Sequence, residues 1–371
     1  MRFLHTSDWH LGVSLNQYSM IEEQRHFIEE ILQTVDRERI EAVVVAGDIF
    51  DHAVSNPDAI HLYNYAMTQL CIRRGIPVII CAGNHDGAAR LSSCSELLRE
   101  AGLYIAGSVK DGVMEVQLGD TVFYSLPFFS IDEARYLYPK EEIKNYDMAM
   151  KAILRHLPKE NGKSVLVAHC FVSGAEVSES DRSAMIGGSN RIGADAFQGF
   201  DYVALGHLHK PQDIANTIRY SGSPMKLSFS EAAQEKSVTI IDTVDFSRRT
   251  VPLIMKNDLR VEKGTYEQLW ELAQKDPRSG DYVKIELTDE YAHMELNHAF
   301  REYYPRLLSF SGKSFEGESE DALSMQQTAG MTPEEIMVRF YREFSDGEEP
   351  DEMQMEWFRK AVAANKGGDA Q

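Results

Sequence analysis

Ten residues, Ala42 to Asp51, restrict what this chain can become more than any others: Ala-Val-Val-Val-Ala-Gly-Asp-Ile-Phe-Asp. Three consecutive β-branched residues, Val43 to Val45, read as a strand buried on both faces, because no polar residue alternates with them. Gly47 ends the strand and frees the backbone to turn. Asp48 then stands at the strand's carboxyl end, the edge at which open α/β sheets hold their ligands. A carboxylate fixed there can bridge two divalent cations. The other chemically loaded stretches read as completing such a site.

The chain repeats this strand-then-polar-residue pattern. Arg2 to Thr6 is a short strand that delivers Asp8 and His10. Between Glu22 and Arg39, the residues Phe27, Ile28, Ile31, Leu32 and Val35 fall at helical spacing. Asp58 to Arg74 reads as a second helix, Pro77 to Cys81 as a strand ending in Gly83-Asn84-His85-Asp86, and Leu91 to Ala101 as a third helix. This βαβαβα order favours a parallel sheet covered by helices. Further strands are expected at Tyr104 to Ala106, Val113 to Leu118, Thr121 to Ser125, Ser164 to Ala168, Asp201 to Leu205, Tyr220 to Phe229 and Val238 to Val244, with a polar helix from Ile131 to Leu157. They predict a second, more antiparallel sheet packed on the first.

Residues 1–250 therefore read as the catalytic domain. Residues 251–312 read as a small α/β accessory domain, with helices at Tyr266 to Gln274 and His293 to Tyr303 and a strand at Tyr282 to Leu287. Residues 313–330 are polar and acidic, as a linker is. In 331–371, Thr332, Pro333 and Glu335 open a helix with a capping box, and a second runs from Asp351 to Ala364. Short amphipathic helices on a tether suit docking either on a core of their own or on a partner helix.

The formal charge of -20 argues against nucleic acid, whose phosphates are bound through Lys and Arg. Much of that charge is local: residues 314–371 hold fourteen Asp/Glu against five Lys/Arg, a net of -9. Bound divalent cations offset more. The four cysteines, Cys71, Cys81, Cys94 and Cys170, show no CxxC spacing and read as free thiols of a reducing cytoplasm. No run approaches the ~18 apolar residues of a membrane helix.

Five clusters carry the chemistry: Asp8-Trp9-His10, Gly47-Asp48-Ile49-Phe50-Asp51, Gly83-Asn84-His85-Asp86, His169, and Gly206-His207-Leu208-His209. Each alone is weak, since a strand-end histidine is more often structural than a ligand. Together, in this order and at strand ends, they predict a dinuclear metal site. Asp8 and His10 are two apart, so an extended backbone would aim both the same way, and His207 and His209 repeat that spacing. Carboxylate, imidazole and one amide oxygen suit octahedral manganese, iron or magnesium more than tetrahedral zinc.

On Leu4-His5-Thr6-Ser7-Asp8-Trp9-His10-Leu11-Gly12, Ala204-Leu205-Gly206-His207-Leu208-His209, Tyr220-Ser221-Gly222-Ser223-Pro224 and Leu227-Ser228-Phe229, the chain resembles the calcineurin-like metallophosphoesterase superfamily. The Trp9 context and the Gly-Ser-Pro stretch are similar to its nuclease branch. The resemblance covers roughly residues 1 to 245 and is weak beyond.

It implies a four-layer sandwich of two mixed β-sheets flanked by helices. It implies that Asp8, His10, Asp48 and His209 hold a first ion, and that Asp48, Asn84, His169 and His207 hold a second, with Asp48 bridging. By the same resemblance His85 faces the phosphate and stabilises or protonates the leaving oxygen, and Asp51 orients His85 by accepting its other ring proton. The implied cofactors are two divalent ions, manganese above magnesium or iron. The implied activity is 3′-to-5′ exonuclease action on duplex ends and endonuclease action on single strands or hairpins. The implied partners are DNA, a second copy of the chain, and a coiled-coil ATPase bound through the C-terminal helices. Arg90, Arg191 and Lys210 are candidate phosphate contacts, with Arg182 and Lys226 also close to the motifs. Two other readings compete: a phosphatase or phosphodiesterase for small molecules or phosphoproteins, and a non-enzymatic scaffold. Scaffolds of this kind usually lose ligands, and none of the seven is missing here.

Overall fold

Val43 and Val45 join one apolar core and Ala42, Val44 and Ala46 join another, so the central strand separates two buried layers. The computed structural model that places them describes residues 1–157, 162–178, 191–289, 294–312, 332–344 and 349–366. These fall into two compact units, Met1–Lys313 and Ser314–Gln371.

The first sheet has the order Ser247–Leu253, Lys236–Asp242, Arg2–Thr6, Ala42–Ala46, Val78–Cys81, Leu103–Ala106. Its last four strands run parallel, and the two late strands add antiparallel beside Arg2–Thr6. The second sheet has the order Gln212–Ala215, Ile218–Tyr220, Tyr202–Gly206, Lys163–His169, Thr121–Leu126, Met114–Leu118, with antiparallel pairing only at its two edges. The helices Ile21–Glu38 and Pro57–Met67 cover the outer face of the first sheet, and Ile131–Leu137 and Tyr146–Arg155 cover that of the second. Between the sheets lies a third core, in which Phe3 meets Phe123 edge-on at 5.2 Å. The order helix, sheet, sheet, helix makes four layers.

Several expectations are corrected. The strand expected at Val238 to Val244 joins the first sheet, because Arg2–Thr6 is buried over Phe3 to Thr6 and needs a partner on both edges. The second sheet is thus no more antiparallel than the first. The strand expected over Tyr220 to Phe229 stops at Tyr220, where Gly222 at φ 76° and Pro224 leave the ladder. The helix expected over Ile131 to Leu157 is two, each with its own cap, Ser130 and Asn145, because Pro139 lies between them. The helix expected over Leu91 to Ala101 is split at Cys94, whose φ is 59°.

The accessory segment is a βαβαβ unit: Leu259–Gly264, Tyr266–Lys275, Tyr282–Leu287, Met294–Tyr303 and Leu307–Ser311, with a parallel sheet and its own core of Leu269, Val283, Ile285 and Phe300. Its entry is clamped to the long first helix. There the buried Glu23 carboxylate accepts the N–H of Lys256 at 2.9 Å and the side-chain amide of Asn257 at 2.7 Å. The strand Ser247–Leu253 runs past residue 250, so the first sheet ends at Leu253.

In the second unit, Thr332 and Glu335 form the capping box of the helix Pro333–Phe344, which pairs with Glu352–Lys366 through Arg359 and Glu334 at 3.1 Å. The expected linker 313–330, Arg182, and the start of the expected helix at His293 lie outside the described residues. No described helix is long and apolar enough to cross a membrane.

Candidate metal centre

Asp8, His10, Asp48, Asn84, His169, His207 and His209 all end or follow strands at the carboxyl edge shared by the two sheets. The backbone that aims them is not extended. Asp8, His10, Asp48 and His207 have φ values of 52°, 43°, 48° and 106°, in a region that side chains other than glycine seldom occupy. Strand alternation therefore does not bring Asp8 and His10 together. A turn does, pinned where the N–H groups of Asp8 and His10 donate to the carbonyls of Gly47 and Asp48, each at 3.0 Å. Four such residues in one site store strain of about 1–3 kcal/mol each, sustained by the packed sheets around them. Two glycines let the loops close. A Cβ on Gly83 would stand 2.1 Å from Asp48 Oδ1, and one on Gly206 would stand 1.8 Å from the Ala46 carbonyl oxygen.

Asp48 is the hub. Its Oδ2 lies 3.3 Å from His169 Nε2 and 3.7 Å from His10 Nε2, and its Oδ1 accepts the His85 N–H at 2.9 Å. Asn84 Oδ1 lies 3.0 Å from both His169 Nε2 and His207 Nδ1. Donor atoms of Asp8, His10 and His209 stand within 4.8 Å of one another, and so do those of Asp8, Asp48 and His169. These two groups share Asp8, Asp48 links them through His10 and His169, and Asn84 joins His207 to them.

The residues present fit a pair of cations. Asp8 is fully buried, and its Oδ2 has no hydrogen-bond partner, nor has His10 Nε2. An orphaned carboxylate oxygen in a protein interior is costly unless a positive charge meets it. The charges are mutually frustrated. Burial and the neighbouring Asp48 carboxylate push the Asp8 carboxyl up. Burial also opposes ionisation of Asp48, but His169 and His10 outweigh it and hold its carboxyl low. His10 and His169 rise to about 9 against the pull of burial, through Asp51 and Asp48 for the first and Asp48 for the second. His207 falls to about 3, from burial and then the charge of His169. Divalent ions among neutral imidazoles and ionised carboxylates relieve all of these conflicts together.

His85 sits at the rim, its ring centroid 4.8 Å from that of His10. Its Nδ1 lies 2.9 Å from the main-chain carbonyl of Asp51. The expectation that the Asp51 carboxylate orients His85 is corrected. That carboxylate faces His10 Nδ1 at 3.2 Å and His52 Nε2 at 3.3 Å, because the backbone after Phe50 turns its carbonyl toward His85. Arg90 is exposed and donates to the Ala53 carbonyl at 3.0 Å, Arg191 is exposed, and Lys210 is paired with Glu176.

Two functional carboxylates escaped sequence reasoning. Asp86 accepts the N–H groups of Gly83, Phe50 and Ile49 at 2.8, 3.0 and 3.2 Å, tying the Asp48 loop to the Asn84 loop. It was visible in its cluster but had no evident task. Glu231 is fully buried and lies 3.1 Å from His209 Nδ1. Its signal, a Ser-x-x-Glu spacing from Ser228, reads as a surface cap.

Comparison with known proteins places this geometry. Residues 1–211 match the family model for calcineurin-like phosphoesterases, and residues 255–344 match that of the type 5 capsule protein repressor C-terminal domain. The chain is 30% identical over 353 residues to the SbcD subunit of the nuclease SbcCD of Staphylococcus epidermidis, covering 93% of this chain and 94% of that protein. It is 30% identical over 356 residues to the corresponding protein of Staphylococcus saprophyticus, covering 92% of each. The chain belongs to the calcineurin-like phosphoesterase family of metal-dependent phosphoester hydrolases, and within it to the group of the SbcD nuclease subunits.

Proposed function

We propose that this chain is a manganese-dependent DNA nuclease that works in the cytoplasm, as a homodimer, with an SbcC-type coiled-coil ATPase, in DNA repair and recombination. The observation that carries the reading is the convergence of seven ligand-type side chains about the buried carboxylate of Asp48. The full-length likeness to nuclease subunits supports DNA as the substrate. Asp8, His10, Asp48 and His209 would hold one ion and Asp48, Asn84, His169 and His207 the other. Magnesium or iron also suits these donors. When bound, two such ions supply Lewis acidity toward a phosphodiester and lower the pKa of water at the site.

The chain's own residues do the rest. Asp48 fixes the two halves of the site and, through Oδ1, the backbone of His85. His85 is held through Nδ1 by a carbonyl, which only accepts, so that nitrogen carries the proton and Nε2 is left for the substrate. Placed at the rim, it stabilises or protonates the departing oxygen as the imidazolium, Nε2 giving up its proton while Nδ1 keeps the one held by the carbonyl. Arg90, Arg191 and Lys210 are offered as phosphate contacts; of these, Lys210 must first leave Glu176.

The apolar side chains of Val54 and Ile60 are exposed and line a hollow with Leu98. This patch supports a second copy as partner. On the second C-terminal helix Met353 and Trp357 are exposed, which supports docking of that helix pair on the ATPase. The four unpaired cysteines agree with a reducing compartment. The division into a catalytic domain, an accessory domain, a linker and partner-binding helices is part of the same proposal.

The test compares a hairpin oligonucleotide and linear duplex with a chromogenic phosphodiester, each with manganese, with and without the ATPase and ATP. Cleavage of the DNA substrates, 3′-to-5′ from duplex ends, is expected. Turnover of the small ester alone would favour a small-molecule phosphodiesterase.

A further inference from the structure

His209 is held from two sides by residues outside the seven. Its ring Nδ1 faces Glu231 Oε1 at 3.1 Å, and its carbonyl accepts from the Lys236 ammonium at 2.8 Å. Glu231 and Lys236 are themselves joined at 2.7 Å, both buried. The ammonium also donates to Ser223 at 2.9 Å, and Ser223 donates its N–H to the His209 carbonyl at 3.1 Å. Glu231 further accepts the Leu227 N–H at 3.2 Å. The segment from Ser221 to Glu231, with its Gly-Ser-Pro and Leu-Ser-Phe stretches, thus wraps one histidine. A Cβ on Gly222 would stand 2.6 Å from the His209 carbonyl oxygen, so the wrap is as tight as the backbone allows.

We propose that Glu231 is the positioning residue of His209: by accepting the Nδ1 proton it fixes the tautomer and ring plane, so that the Nε2 lone pair is left free to hold the first ion. A carboxylate acceptor opposite a metal-binding imidazole also raises the basicity of the binding nitrogen. Lys236 pairs with the carboxylate and anchors the main chain from which the ring hangs. Among the described residues no counterpart to this pairing exists on the second-ion side, where His169 Nδ1 meets the Ala46 carbonyl at 2.9 Å. The two halves of the centre therefore differ in donor strength. The proposal rests on His209 being a ligand, as put forward above.

The experiment titrates the full chain, stripped of metal, with manganese alone, reading stoichiometry and both affinities by calorimetry and ion pairing by electron paramagnetic resonance. In Glu231→Gln the weaker neutral acceptor is expected to reduce affinity at one site by about tenfold, with the other unchanged and the coupled-pair signal appearing only at higher manganese. Glu231→Asp should recover part of the loss. Because Glu231→Gln leaves Lys236 buried without its carboxylate, the pair Glu231→Met with Lys236→Met serves as the second variant. It is expected to fold and yet to bind the affected ion about a hundredfold more weakly. Wild-type affinities and an unchanged coupled spectrum in Glu231→Gln, or in the double variant, would overturn the proposal. His209→Ala separates the two levels: if it too binds both ions normally, the ligand assignment falls together with the proposal. If it loses one ion while the Glu231 variants do not, only the positioning role falls.

Discussion

His85 Nδ1 lies 2.9 Å from the main-chain carbonyl oxygen of Asp51, while the Asp51 carboxylate turns to His10 Nδ1 at 3.2 Å. One residue thus steadies two histidines through different atoms, and substitution can separate them. Changing the Asp51 side chain leaves the carbonyl, and so the His85 tether, in place.

His85→Gln is accordingly expected to lower kcat by about 10²–10⁴, the usual worth of a positioned acid or base, with manganese content unchanged. Asp51→Ala is expected to weaken manganese binding through His10 while a kcat measured at saturating metal falls much less. Metal analysis beside steady-state kinetics checks both. Metal loss in His85→Gln would count against its place at the rim.

Gly206 gives a prediction about closure of the two sheets. A Cβ there would stand 1.8 Å from the Ala46 carbonyl oxygen, and backbone cannot yield as a side-chain tip does. Gly206→Ala is expected to destabilise by roughly 3 kcal/mol, the upper end for overpacked cores, and to lose metal binding as Asp48 and His207 move apart. Gly162→Ala, where nothing lies within 4 Å, is the control and should unfold with the wild type. Thermal unfolding by circular dichroism reads both.

The exposed side chain of Ile60, which lines the hollow with Val54 and Leu98, provides a test of self-association. Ile60→Glu places a charge on this apolar patch and should convert a dimer to monomer in light scattering. Metal binding per chain is expected to be unchanged, since Ile60 belongs to the helix Pro57–Met67, outside the centre.

Much of the centre is legible in the sequence alone, for a physical reason. A buried strand that ends in glycine and a metal-type side chain is a local signal, and five of them in order specify an edge. What stayed hidden was non-local or conformational. The φ values of Asp8 and His10 are imposed by the carbonyls of Gly47 and Asp48, which no residue in the Asp8 loop announces. The pairing of Lys236–Asp242 with Arg2–Thr6 spans the whole catalytic region, and its alternating residues would suit either sheet. Glu231 lies in a polar stretch, where an acidic residue ordinarily means solvent. The accessory unit was read by its periodicity, helix by helix, yet the cage of carboxylates around Arg260 was not, because its members Glu262, Asp276 and Asp281 are scattered among exposed charges.

That cage yields a pH prediction. Burial opposes ionisation of Asp276, but the hydrogen bond from Arg260 outweighs it and its carboxyl is held below the usual range, with Tyr304 donating as well at 3.0 Å. A carboxyl whose folded pKa is depressed stabilises the fold fully above its unfolded pKa, about 3.9 for Asp, and the contribution is lost as pH falls through the folded value. Hydrogen exchange in Leu259–Gly264 and Tyr282–Leu287, corrected for intrinsic rates, should show constant protection from pH 7 to 5 and a fall below about pH 4. Asp276→Asn should show reduced protection already at pH 7 and a shallower acid response.

Metal itself should be a structural component of the catalytic region. Without cations the buried Asp8 Oδ2 has no partner, and burial and the Asp48 carboxylate oppose ionisation of Asp8. Ions that bind only the folded chain stabilise it by RT ln(1 + [L]/Kd), about 2.7 kcal/mol for each site at a hundred times its Kd. Manganese is therefore expected to raise the Tm of the stripped protein by several degrees, and a chelator should reverse the rise. Asp48→Asn removes the shared charge from both halves at once. It should abolish the manganese-dependent shift and, because the ionised Asp48 carboxylate is paired with His169 and His10, should also set the metal-free Tm below that of the wild type. A metal-independent Tm in the wild type would mean that the seven side chains do not bind ions as a group, and would remove the basis for two-metal hydrolysis at this edge.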